Sequence, residues 1–104
     1  MEVKNVTLLR EKKIAEFPDA VTSRGTKHLK ELVAAKKKGF NSCILYLIQR
    51  KNCESFKIAQ DIDEEYKIAF DIAIENGVSV LCYDCKINSE EIKLNKEIKY
   101  EQKL

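Results

Sequence analysis

Ser42-Cys43-Ile44-Leu45-Tyr46-Leu47-Ile48-Gln49 is apolar at every position from Cys43 to Ile48. A strand with one wet face alternates polar and apolar residues, whereas an unbroken apolar run belongs in the middle of a covered sheet. The stretch therefore reads as a central strand, and its flanks read as helices. On its amino side, Thr26 to Lys38 carries Leu29, Leu32, Val33, Ala34 and Ala35 on an inward face, and Gly39 follows as a left-handed cap. On its carboxyl side, a polar loop from Lys51 to Ile62 precedes a second helix that starts near Asp63. Asp63 is a good N-cap, and Glu64 and Glu65 put negative charge on the first turn. Tyr66, Ala69, Phe70 and Ala73 recur at helical spacing as a stripe for the core, and Asn76-Gly77 ends the helix.

Two more strands lie outside these helices. Residues 2–9 hold the strand formers Val3, Val6, Thr7, Leu8 and Leu9, and Val78 to Lys86 is again apolar on both sides. Arg10 to Lys13 is a charged turn, and Ile14 to Phe17 a short return strand. Phe17-Pro18-Asp19-Ala20-Val21-Thr22 is a loop in which Pro18 fixes its own φ and restricts Phe17. Ser89-Glu90-Glu91 looks like a capped turn. The order strand, helix, strand, helix, strand, joined by right-handed crossovers, predicts an α/β fold. Its core is a three-stranded, mainly parallel sheet with two crossover helices. One domain is expected over 1–104, with a core at 1–92 and a charged tail at 93–104 that is an edge strand or frays.

With 104 residues, 44% hydrophobic and 35% charged, the chain has a globular rather than a disordered composition. No apolar run approaches the roughly 18 residues that cross a bilayer. The amino terminus lacks the basic-then-apolar layout of a signal peptide, so a cytoplasmic location with no membrane partner is expected. Net charge is +2, from 19 basic and 17 acidic groups, so affinity for nucleic acid has to come from a local patch. The densest basic run, Lys36-Lys37-Lys38, suits a helix C-terminus on a solvated face, or a phosphate contact. Cys43, Cys53, Cys82 and Cys85 are expected as free thiols. Cys82 and Cys85 have zinc-ligand spacing but face opposite ways on a strand.

Glu2 and Lys4 project from one face of the first strand, about 7 Å apart along it. They read as a surface ion pair, or as a carboxylate for a divalent metal and a lysine for the phosphate beside it, with the Val3 carbonyl as a further ligand. Asp19 and Thr22 precede a helix as a capping arrangement would. The functional alternative puts Asp19 and Arg24 at the rim of a cleft. His28 reads as a surface or packing residue, or as a minor phosphate donor. Gln49 and Arg50 follow the central strand, where Arg50 is a solvated loop residue or a bidentate phosphate ligand. No catalytic triad, Cys/His nucleophile pair or phosphate-cradling glycine loop can be assembled, because the three glycines are dispersed.

Taken together, Glu2-Val3-Lys4-Asn5-Val6-Thr7-Leu8, Phe17-Pro18-Asp19-Ala20-Val21-Thr22-Ser23-Arg24-Gly25 with His28-Leu29, and Gln49-Arg50 resemble the carboxyl-terminal domain of the sugar fermentation stimulation proteins of bacteria and archaea. The resemblance runs from Glu2 to about Leu94. It implies a restriction-endonuclease-like fold behind an amino-terminal OB-like domain, DNA binding without sharp sequence preference, and a role in regulating sugar (maltose) utilisation. In restriction-endonuclease-like phosphodiesterases a Glu-x-Lys strand works with an Asp from an earlier strand. Family members run to about twice this length, a two-domain size, so the chain is expected to be a truncated member or the product of a split gene. Glu2 and Lys4 would then be the remnant of a catalytic site, with Glu2 and Asp19 as ligands for a weakly held Mg²⁺. Arg24, His28, Gln49 and Arg50 would contact DNA, the first strand would be a sheet edge, and a separately encoded amino-terminal half would be a partner. The alternative is Mg²⁺-dependent hydrolysis of nucleic acid, with a carboxylate borrowed from Asp19 or another chain.

Overall fold

The structure, a computed structural model, describes residues 1–50, 53–87 and 92–100. In chain order its elements are β1 (Glu2–Val6), β2 (Leu8–Glu11), β3 (Ile14–Phe17), α1 (Ser23–Lys37), β4 (Cys43–Ile48), β5 (Ser55–Ile58), α2 (Glu64–Glu75), β6 (Ser79–Ile87), β7 (Ile92–Glu97) and β8 (Lys99–Tyr100). β4 lies between two parallel neighbours, β1 and β6. The three-stranded parallel core with two crossover helices is thus present, and β7 joins it antiparallel to β6. β1 is the end strand of this sheet.

A second sheet, in the order β2-β3-β5-β8, was not foreseen. The strand expected over residues 2–9 breaks at Thr7, and its two halves enter different sheets. β5 lies inside the stretch expected as a polar loop, pairing parallel to β3. The turn expected at Ser89-Glu90-Glu91 lies outside the described residues.

Both sheets meet at Tyr46. Its ring touches Phe17 of β3, Phe56 of β5 and Phe70 of α2, with centroids 5.7, 4.6 and 6.1 Å away. One side chain projects from one face only, so β3, β5 and α2 all cover the same side of the first sheet. α1 packs beside α2 on that side, burying Leu29. Two right-handed crossovers that step the same way along a sheet leave their helices on one face.

The other face is therefore open among the described residues, which differs from the covering expected of a strand apolar on both sides. Val3, Leu45 and Leu81 form one row across it. Val3 and Leu81 are 47% and 37% exposed, with Leu45 and Leu47 half-buried between the strands.

α1 begins at Ser23, three residues before the expected start, because the Thr22 hydroxyl caps it by accepting from the Gly25 N–H at 2.9 Å. Gly25 lies where a Cβ would come within 3.0 Å of both Thr22 and the Tyr66 ring, so glycine lets the two helices approach. Tyr66, Ala69, Phe70 and Ala73 are buried as their spacing predicts, whereas Ala34 of α1 faces solvent. No helix among the described residues is long and apolar enough to cross a membrane.

Candidate functional site

Alternation along β1 turns Glu2, Lys4 and Val6 toward the helices and Val3 and Asn5 away from them. The parallel register sets Glu2 beside Ile44 and Lys4 beside Tyr46. α1 then brings His28, on its second turn, onto the same two side chains. Lys4 Nζ donates to His28 Nδ1 at 2.9 Å, and Glu2 Oε1 lies 3.4 Å from that nitrogen and 3.6 Å from Lys4 Nζ. Because Nδ1 accepts from an ammonium, the neutral ring carries its proton on Nε2. Lys4, His28 and Glu2 side chains are 14, 19 and 32% exposed, so the cluster opens to solvent mainly on its carboxylate side.

Under it lies a buried pair of phenols, with the Tyr46 and Tyr66 hydroxyls 2.6 Å apart. Burial drives both well above the ordinary tyrosine range, and the nearby Asp63 and Glu2 carboxylates push Tyr66 in the same direction. The pair is neutral, a floor of fixed hydroxyl dipoles. Neither tyrosine was singled out for this from the sequence. The available signal was a phenol in each of two core patterns, since a buried hydroxyl needs a partner.

The Lys4 ammonium can donate to a phosphate oxygen, the Nε2–H of His28 projects from the far side of its ring to a separate acceptor, and the Glu2 carboxylate beside them opposes an anion. A hard divalent cation takes six or more oxygen ligands. Among the described residues no three His, Cys, Asp or Glu side chains gather around such an ion, and Glu2 is the one carboxylate of the cluster. The described residues therefore do not by themselves fit a divalent metal centre. Cys82, whose thiol burial pushes up to about 12, stays protonated, and all four cysteines are free thiols.

Of the other residues singled out from the sequence, Arg24 is exposed on the first turn of α1, one turn before His28. Asp19 is exposed in the loop that leads to α1. Gln49 and Arg50 are exposed beyond the end of β4, and Gln49 donates to Asn5 Oδ1 at 2.9 Å. Arg50 lies beyond the end of β4, four residues past Tyr46, the neighbour of Lys4, and so beyond the end of β1 opposite to Glu2. The structure thus brings Glu2, Lys4 and His28 together, keeps Arg24 at their edge, and leaves Gln49 and Arg50 at the far end of β1.

A parallel α/β core with a Glu-x-Lys strand at its end defines a restriction-endonuclease-like domain. The family described as the sugar fermentation stimulation protein RE domain matches residues 1–91. A sugar fermentation stimulation protein homolog of Pelagibacter ubique is 59% identical over 99 residues, which are 95% of this chain and 43% of that one. The homolog of Bartonella henselae is 41% identical over 103 residues, 99% of this chain and 44% of that one. Among solved structures, that of Pyrococcus furiosus SfsA in complex with Ca²⁺ superposes with a TM-score of 0.87 at 28% identity, over 97% of this chain and 44% of that one. The chain belongs to the sugar fermentation stimulation protein family. It spans less than half the length of the relatives it matches.

Proposed function

We propose that this chain is a DNA-binding domain that grips the phosphate backbone with little base preference, and that it serves a cytoplasmic regulator of sugar (maltose) utilisation without hydrolysing DNA by itself. The carrying observation is the Lys4 ammonium held 2.9 Å from His28 in a half-buried cluster with a single carboxylate. Such a cluster offers the Lys4 ammonium to a phosphate oxygen. Among the described residues it lacks the second carboxylate that metal-assisted cleavage requires. DNA binding that weakens steeply with salt is the expected result, measured by fluorescence anisotropy on a labelled duplex. Lys4→Ala should weaken it, and no binding even at low salt would sink the reading.

A second reading, Mg²⁺-dependent hydrolysis of nucleic acid, draws support from the Ca²⁺ named with the Pyrococcus furiosus relative. Glu2 would be one oxygen ligand there, and Asp19 or the further length carried by the relatives would supply the second carboxylate. Incubating the protein with DNA and Mg²⁺ separates the two. Cleavage that Lys4→Ala abolishes would put hydrolysis first.

A further inference from the structure

A net charge of +2 conceals a strong separation of charge between the two helices. On α1, Arg24, Lys27, Lys30 and Lys37 are exposed, and exposed Lys38 caps its end. At 100° per residue these five fall within an arc of about 140° that excludes the buried Gly25, Thr26 and Leu29, with Lys37 next to Thr26 at its border. None of the five pairs with a carboxylate among the described residues. Glu31 is the one acidic group in their midst. On α2, packed alongside, the exposed charges are Glu64, Glu65, Asp71 and Glu75. One helix therefore presents positive charge and its neighbour negative charge, on the same side of the sheet.

We infer that the solvent face of α1, from Arg24 to Lys38, is the surface that tracks the nucleic-acid backbone, with the acidic α2 flanking it. The inference rests on the DNA-binding reading of the Glu2–Lys4–His28 cluster and extends it to residues outside that cluster. Continuity supports it: Arg24 is four residues before His28 and so on the adjoining part of the helix surface, which runs the stripe directly out of the site. Reach supports it too. From Arg24 to Lys38 the helix rises about 21 Å, the axial span of about six phosphates of one strand. Lysines and an arginine placed this way release counterions from a polyanion, and the acidic helix beside them fixes which way the domain faces.

The test compares two triple variants by fluorescence anisotropy on a labelled duplex over a range of salt. One is Lys27→Gln, Lys30→Gln and Lys37→Gln. The other is Lys12→Gln, Lys13→Gln and Lys99→Gln, which removes the same charge from the second sheet. Gln keeps helix propensity close to that of Lys, and circular dichroism confirms that both variants fold. The α1 variant should lower the slope of log K against log salt by about 2.7, at about 0.9 for each phosphate no longer neutralised, while the control changes it by less than about one. Equal losses in both variants, or an unchanged slope in the α1 variant while the wild type binds, would overturn the inference and leave the DNA reading standing. A wild type that does not bind duplex at low salt would remove the reading itself. Binding that depends on α1 but appears only with vesicles carrying phosphatidylserine would overturn the choice of partner.

Discussion

Arg10 on β2 donates from Nε and Nη2 to the two carboxylate oxygens of Glu16, at 3.1 and 2.5 Å. It also donates from Nη1 and Nη2 to Asp61, at 2.6 and 2.8 Å. Glu16 is 1% exposed, so its charge is tolerated only with this fork beside it. Asp61 is on the surface, yet its hydrogen bonds from Arg10 lower its carboxyl to about 2. A carboxyl depressed on folding stabilises the native state fully above its unfolded value near 4, and that contribution is lost as pH falls toward about 2. The thermal midpoint should therefore drop between about pH 4 and pH 2, and Asp61→Asn should drop less steeply over the same window, followed by circular dichroism. Exposure keeps the effect modest. This pairing was not legible in the sequence, because Arg10 reaches Glu16 through a hairpin whose register shifts between Leu8 and Glu11. His28 was singled out as a phosphate donor, but its hold on Lys4 depends on a crossover spanning 24 residues. Glu2 and Lys4 were legible because strand alternation alone puts them on one face.

Elements joined by a shared cap behave as one unit, and Asp63 makes such a joint. Its Oδ1 accepts from the Tyr66 N–H at 3.1 Å to cap α2, and its Oδ2 accepts from the Thr22 N–H at 2.8 Å, just ahead of α1. Asp63→Ala should cost about 2 kcal/mol, a lost cap plus an orphaned backbone donor. Thr22→Ala, which loses one cap, should cost about 1 kcal/mol, and Asp63→Asn less than Asp63→Ala. Urea denaturation measures all three. The cap on α2 was legible from Asp63-Glu64-Glu65, but the start of α1 was not. Gly25 argues against a helix on local propensity, and the approach of the Thr22 side chain and the Tyr66 ring explains its presence. β5 escaped for a different reason. Ser55-Phe56-Lys57-Ile58 is a four-residue alternation inside a polar stretch, too short to stand out until β3 pairs with it. β4 and β6 were legible because each run of apolar residues matched a strand's length, and β1 because of its strand formers Val3 and Val6, although its end at Thr7 was not.

Across the whole molecule, a single consequence of chain order stands out. Both crossovers step in one direction, so among the described residues one face of the parallel sheet carries every packed element and the other is bare. The parallel topology was readable from the alternation of strands and helices. The bare face was not, since apolar runs in β4 and β6 look the same whether a neighbour covers them or not. Val3, Leu45 and Leu81 meet water there as a continuous row, next to a terminal strand whose outer backbone groups have no strand partner among the described residues. Replacing Val3 and Leu81 by Thr keeps strand propensity and removes methyl groups from that row. The double variant should bind less of an environment-sensitive dye and sediment as a smaller species at high protein concentration than the wild type, with an unchanged melting temperature. In colloidal terms that row is a sticky patch on a mixed surface, since Ile68 and Ile72 of α2 are exposed as well. A concentrated solution of the domain puts that stickiness to the test, because each collision that aligns two such rows removes their methyl groups from water.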